Sequence, residues 1–543
     1  MTAQTYSLSE LLRAIEAYMP AQSQADLQRD FLEKIKIGAA TARQEETFPT
    51  KSAGAQNHVI QSIRKAIAKA RSPRQALLLM NLQMRLAYSY ETWMQVARTL
   101  LSADVRLYEY QATLHQLWVF RFTYMQRFSA FDAAKSGYWL RRLYTRLLEM
   151  AEAMVSAAGS TPYRPTAPLP GERQRILLSV TEAMPGEHPL LSQVLDIASS
   201  WREHFDADIL VVNTSMPAQM PVSLVLDVTV GQTSDYLLNA KTIERHGESF
   251  AFAHNPHKLL QKNSFLWMAD ALEAFQPHAV ISLGPGNLLV DALTTGPRTM
   301  AIPNNKEVPL SAAQTLVVTE KPDTVTARLL SRAGVSPERI GSMPFAYRLP
   351  EVTGASDRSS FNFPADAFVF AIVGVRLQQD CTGAFLGALE QFAIDIPRAH
   401  FLFVGPVGSQ HSFLGDRPTL QARARVLGFR SDVLALLQVC DAYLNPPRQG
   451  AGTSAAFALS AGLPIITLGD GDVAGVAGSD FCSATEDAYW RQAANLVTDD
   501  TLYASLSEAA TARWAIASDT KARTQALVDL LEDADTVLLQ RSA

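Results

Sequence analysis

Apolar positions in the first 160 residues recur at helical spacing. Ser7 and Glu10 form a capping box ahead of Leu11, Leu12 and Ile15. Ser72 followed by Pro73 reads as an N-cap and a first helical residue. The stretch 75–101 has too few polar positions for a helix with one solvent face, so it is predicted to pack on both sides within a bundle. The helical pattern continues through 114–128 and 137–155, without a 34-residue repeat signature.

A Pro-rich break spans residues 158–171, and the texture changes after it. Short apolar runs at 176–180, 209–212, 279–283, 299–302 and 316–318 alternate with helical stretches, the pattern of a doubly wound parallel sheet. A second break covers 349–364, after which the alternation restarts with strands at 368–373, 401–404, 442–444 and 465–468. The tail is a long amphipathic helix. The fold class is therefore α/β, with two Rossmann-like domains facing a cleft, preceded by an all-α domain. The boundaries are 1–160 for the helical domain, 171–348 and 365–515 for the two Rossmann-like domains, and 516–543 for the C-terminal helix.

Composition narrows the function. With 48% hydrophobic and 19% charged residues the chain is ordinary globular material. A net charge of −5 offers no basic field for nucleic acid or an anionic membrane. The N-terminus lacks a signal-peptide pattern, and no apolar run is long enough to span a bilayer. Cys381, Cys440 and Cys482 are isolated and read as small hydrophobes in a reducing, cytoplasmic compartment.

Four segments carry candidate chemistry at strand ends, where open α/β sheets bind ligands. The strand at 368–373 runs into Gly374 and Arg376, a close-approach glycine and a planar donor fork suited to phosphate. The strand at 401–404 empties into Gly405 and Gly408. Gly428 turns the chain ahead of a helix capped by Ser431, in a loop able to clasp a nucleobase edge. The fourth segment is the most informative: Asn445, Arg448, Gln449, Gly450, Gly452, Thr453 and Ser454 lead into a helix whose N-terminus is an anion site with two added hydroxyls. Replacement of Arg448 by alanine is accordingly expected to cut turnover while leaving Tm nearly unchanged.

In order and spacing these segments resemble the nucleotide-sugar donor domain of GT-B glycosyltransferases, over about residues 365–515. Many retaining members carry two glutamates where this chain has Gln449 and Phe457, which points to a different branch. The helical N-terminal domain resembles that of soluble bacterial protein glycosyltransferases and, more remotely, O-GlcNAc transferases. The resemblance implies sugar transfer from a nucleotide-sugar to a protein or glycan acceptor, with no cofactor or metal and with oligomer or protein contacts through the helical domain. Two other uses of such a fold stay open: a nucleotide-sugar epimerase and a non-catalytic binding protein.

The acceptor side is expected on the first Rossmann-like domain. His188, with Glu187, follows the strand at 176–180 and is the candidate base, since an imidazole titrates near working pH. Gly284, Gly286 and Asn287 follow a second strand, and Asn304, Asn305 and Lys306 a third. His254, His257 and Lys258 are placed in a loop whose spacing does not make a metal site. Tyr347 and Arg348 stand at the interdomain crossing, either lining the cleft or bracing the hinge.

Overall fold

The computed structural model describes residues 64–65, 67–70, 72–86, 88–124, 129–183, 189–215, 235–257, 260–284, 286–303, 305, 307–350, 357–469 and 471–542. The capping box at Ser7 and Glu10 lies outside them. The described residues form two compact units, one ending at Val119 and the other beginning at Phe120.

The first unit is helical. The apolar stretch 75–101 spans two helices, Pro73–Leu86 and Tyr90–Ser102. Ser89 separates them: it is extended, and its side chain accepts from Thr92 N at 3.1 Å, starting the second helix. Trp93 is fully buried, and its indole N–H donates to Leu117 O at 2.8 Å on the helix Leu107–Tyr124.

The second unit holds two sheets. The first contains β1 (Arg175–Val180), β2 (Asp208–Asn213), β3 (Thr242–Arg245), β4 (Glu248–His254), β5 (Ala279–Leu283), β6 (Thr299–Ile302), β7 (Thr315–Val318) and β8 (Ile340–Ser342). Their order is β3-β4-β2-β1-β5-β6-β7-β8, and only the β3–β4 pair is antiparallel. The second contains β9 (Phe368–Val373), β10 (Ala399–Val404), β11 (Ala424–Val426), β12 (Ala442–Leu444), β13 (Ile465–Leu468) and β14 (Cys482–Ser483). It is parallel throughout, in the order β11-β10-β9-β12-β13-β14. Every residue of β5, β6, β7, β9, β10 and β12 is buried, the signature of sheets covered on both faces. The expected pair of Rossmann-like sheets is present.

The hairpin β3–β4 was not expected, and its turn explains it. His246 and Gly247 both have positive φ, at 51° and 77°, the two-residue geometry that joins twisted antiparallel strands. His254 is consequently the last residue of a strand.

Two helices depart from the sequence-derived boundaries. Ala130–Ala157, started by Ser129, packs on helices Leu288–Leu293 and Thr324–Arg332 of the first sheet's layer. Tyr144 on it donates to the buried carboxylate of Asp291, which also accepts from Ser311 Oγ at 2.7 Å and Ala312 N at 3.0 Å. At the other end, Asp500–Ala517 and Thr520–Ser542 are separate helices. The second returns to the first sheet, burying Leu527 and Leu531 in the same core as Trp201, Ile209 and Phe250. The outward and return crossings run side by side, joined by Tyr347 N to Ala517 O at 2.8 Å. Among the described residues no helix is long and apolar enough to cross a membrane.

Burial pushes the Asp291 carboxyl pKa up, and its three donors only partly counter this. With the folded value above the unfolded one, its contribution to stability is full below the unfolded carboxylate value of about 3.9 and is lost as pH rises through the folded value. Asp291→Asn should therefore flatten that decline in a series of calorimetric Tm measurements, whatever its absolute Tm. Tyr144→Phe removes one donor from the buried carboxylate and should cost about 1–3 kcal/mol. An unchanged Tm would show that this contact carries no stability.

Candidate active site

Strand order locates the crevices. In the first sheet the layout runs one way from β1 through β2 to β4 and the other way from β5 to β8; in the second it reverses between β9 and β12. Such reversals leave a crevice at the carboxyl ends of the two central strands. Gly284, Gly286 and Asn287 follow β5, at the first reversal. Gly374 and Arg376 follow β9, and Asn445, Arg448, Gln449, Gly450, Gly452, Thr453 and Ser454 follow β12, at the second. Gly405 and Gly428 follow the neighbouring β10 and β11. His188, Glu187, Asn304, Lys306 and Lys258 lie outside the described residues.

Most of the glycines make room for protein rather than for ligand. A Cβ on Gly374 would collide with the guanidinium of Arg448, and one on Gly405 with the carbonyl of Gly374. A Cβ on Gly452 would lie 2.9 Å from the Tyr347 hydroxyl, one on Gly284 2.6 Å from Thr181 Oγ1, and one on Gly286 2.8 Å from the Tyr144 ring. Gly428 differs: its φ is +67° and the space beside it is open. Its carbonyl accepts from Gly405 N at 2.7 Å, and the neighbouring Phe429 ring is 72% exposed at the same sheet edge.

The two arginines, alike in sequence, differ in place. The Arg448 side chain is 2% exposed, with every nitrogen bonded: Nε to Asn445 Oδ1 at 2.9 Å, Nη1 to Asp380 Oδ2 at 3.1 Å, and Nη2 to Val373 O at 2.6 Å and Tyr443 OH at 2.8 Å. Burial opposes its charge, but Tyr443 and Asp380 outweigh burial and hold its pKa above the usual value. Arg448 is thus a strut tying β9 to β12: four of its five N–H groups are committed to protein acceptors, in place of the exposed diphosphate fork that the sequence suggests. Arg376 is 33% exposed. It donates once, from Nη2 to Gln449 O at 2.7 Å, and lies 3.7 Å from Asp380. Gln449 itself is buried, and Asn445 is spent on Thr467 Oγ1 and Arg448.

The helix after β12, Gly452–Ser460, opens beside Arg376. Gly450 and Ala451 take consecutive positive φ values of 89° and 69°, swinging the chain sharply into the helix. Its first helical bond is Ala455 N to Ala451 O at 3.1 Å, so the amides of Gly452, Thr453 and Ser454 precede the helical ladder. Thr453 and Ser454 are half-buried there, and Ser454 bonds Tyr443. The Tyr347 hydroxyl abuts this turn; burial, then the charge of Asp472, pushes its pKa up, so it stays protonated.

The first reversal offers unpaired polar atoms. Val180 pairs level with Leu283, so Thr181 and Gly284 leave β1 and β5 together. Thr181 Oγ1 and Asn287 Oδ1 are buried without a partner, while Asn287 Nδ2 donates to Ser179 Oγ at 3.1 Å. Nearby, Asn213 Oδ1 accepts from Ser215 N, which orients the amide so that Nδ2 donates to His254 Nδ1 at 2.9 Å. The proton of His254 then sits on Nε2, which is buried and unpartnered. Burial lowers the His254 pKa, so the ring is a neutral donor rather than a base. Thr181 escaped the sequence reading, although a hydroxyl directly after a buried strand is the available signal.

No family model and no curated protein matches the chain. Among solved structures it is similar to an O-GlcNAc transferase mutant from Thermobaculum terrenum, at 16% identity, covering 86% of this chain and 89% of that one, with a TM-score of 0.48. It is also similar to WaaG, a glycosyltransferase involved in lipopolysaccharide biosynthesis (14% identity, 66% and 99% covered, TM-score 0.43), and to apo OtsA (11%, 66% and 99%, TM-score 0.45).

An open pocket of about 520 Å³ lies at the far end of helix Gly452–Ser460, lined by Ser460, Glu203, His204, Arg348 and Trp514. Arg348, 3.5 Å from Glu203, belongs to this hinge pocket and not to the strand ends. Cys381 and Cys440 are buried and Cys482 is half-buried, all three as free thiols. Burial pushes the Cys381 thiol up to about 12.

Arg448→Ala leaves the largely buried Asp380 with only the longer Arg376 pair and strips the acceptors of β9 and β12 of their donor, and should cost about 3–5 kcal/mol. A large fall in Tm is expected, in place of the catalytic defect at unchanged Tm that the sequence suggests. An unaltered Tm would remove the strut.

Proposed function

We propose that the chain is a glycosyltransferase, moving a sugar from a nucleotide-diphosphate sugar at the β9/β12 reversal to a protein or glycan acceptor at the β1/β5 reversal. One observation carries this reading: three amides at a helix N-terminus, two hydroxyls and a half-exposed arginine converge on one crevice of a parallel sheet. Each group favours a diphosphate, and the helix dipole adds to them. Together they would stabilise the charge that develops on the departing nucleoside diphosphate, without a metal. The open backbone at Gly428 and the exposed Phe429 ring lie at the same edge and suit a nucleobase. On the other sheet, Asn287 Oδ1 offers an acceptor, His254 Nε2 a donor and Thr181 Oγ1 either, to a hydroxylated or amide-bearing group.

The test is a thermal-shift series without added metal, using UDP, GDP, TDP, CMP and their common sugars. Ligand bound to the native state alone raises its apparent stability, by about 2.7 kcal/mol at a hundredfold excess over Kd. A shift with one nucleotide family is expected, and Arg376→Ala should abolish it with little change in the ligand-free Tm. Conversion of the donor without an acceptor would instead identify an epimerase. A folded protein that responds to no nucleotide would overturn the enzymatic reading in favour of a binding protein.

A further inference from the structure

The last turn of helix Leu107–Tyr124 belongs to the second unit and touches both sheets' carboxyl edges through two consecutive residues. Arg121 is buried and grips Glu307, beyond the carboxyl end of β6, with two contacts of 2.5 Å. Its remaining bonds, Nε to Ser136 Oγ at 2.6 Å and Nη2 to Ala133 O at 3.1 Å, hold it against helix Ala130–Ala157. The next residue, Phe122, places its ring 5.3 Å from the Arg376 guanidinium. Phe122 Cζ and Arg376 Nη2 both lie 3.4 Å from the point where a Cβ of Gly450 would stand. Arg376 is otherwise held by one hydrogen bond and one long ion pair.

We propose that Phe122 is a positioning residue for the donor diphosphate, its ring face fixing the guanidinium of Arg376 and its edge backing the left-handed turn at Gly450. This inference rests on the reading of the β9/β12 reversal as the nucleotide-sugar site. A long arginine free to rotate must be ordered when the anion arrives; against the ring it is ordered beforehand. The attraction between a cation and an aromatic face has a size equivalent to several-fold to about 30-fold in affinity. The bond from Arg121 to Glu307 sets where the ring stands, so the width of the cleft and the aim of Arg376 share one anchor.

Calorimetric titration of the full-length protein with UDP, GDP and TDP tests this. Phe122→Leu retains apolar bulk and loses the ring face; Phe122→Tyr retains both. With the nucleotide that wild type binds, Phe122→Leu should weaken Kd about 5–30-fold while Phe122→Tyr stays near wild type. A purely structural role would lower Tm without moving Kd. The pair Phe122→Leu and Arg376→Ala completes a double-mutant cycle: if the ring acts through the arginine, the double variant loses little beyond Arg376→Ala alone. Unchanged affinity in Phe122→Leu, or additive losses in the cycle, would overturn the proposal. Binding of none of these nucleoside diphosphates by wild type would overturn the donor reading itself and this proposal with it, a result distinct from normal binding by the variant.

Discussion

The second sheet is organised around a guanidinium sealed inside it. A buried charge is tolerable only when acceptors surround it, and four of the five Arg448 N–H groups find them on β9, on β12 and the residue after it, and on the short helix Leu377–Asp380. That requirement dictates the neighbouring chain. Gly374 has no side chain because the guanidinium fills the space, and Gly405 has none because Gly374 turns its carbonyl there. Asp380 then lies near both arginines, closely bonded to one and more loosely paired with the other. The strand ends are spaced by the strut, and Arg376 is left beside the crevice.

The crevice is also tied to the hinge. Tyr347 shares the crossing with Ala517 through its amide, while its hydroxyl rests against the first residue of helix Gly452–Ser460. A rotation of one sheet against the other would be felt at the turn that presents the three free amides. Interior packing of this density passes displacement on instead of absorbing it.

The sequence made the strands legible because doubly covered strands are continuous apolar runs; β5, β6, β9, β12 and β13 appear at the expected residues. The hairpin Thr242–His254 was missed because an edge strand alternates and its turn used His-Gly in place of the commoner Asn-Gly. The strands β8, β11 and β14 span only two or three residues, too short for any periodicity. For the candidate site, the positions were legible and the roles less so. Arg376 and Arg448 have the same local signature, an arginine just past a strand and a glycine nearby. Which one is enclosed depends on Asp380, Tyr443 and Val373, contacts across the fold that local pattern does not encode. The glycines were similarly recognisable as close approaches, but Thr181, Tyr144 and Tyr347 come from distant parts of the chain.

The return of helix Thr520–Ser542 to the first sheet has a consequence for synthesis. Leu527 and Leu531 complete the core that begins with Ile176, so the whole second sheet is, in chain order, an insertion within the layers of the first sheet. On the ribosome the second sheet can close as soon as it emerges, while the first stands with an uncovered apolar face. At about 5–20 residues per second that exposure lasts roughly tens of seconds. Of the two sheets, the one begun first is finished last, and during that interval its unfilled groove is open to chaperones and to misassembly between nascent chains.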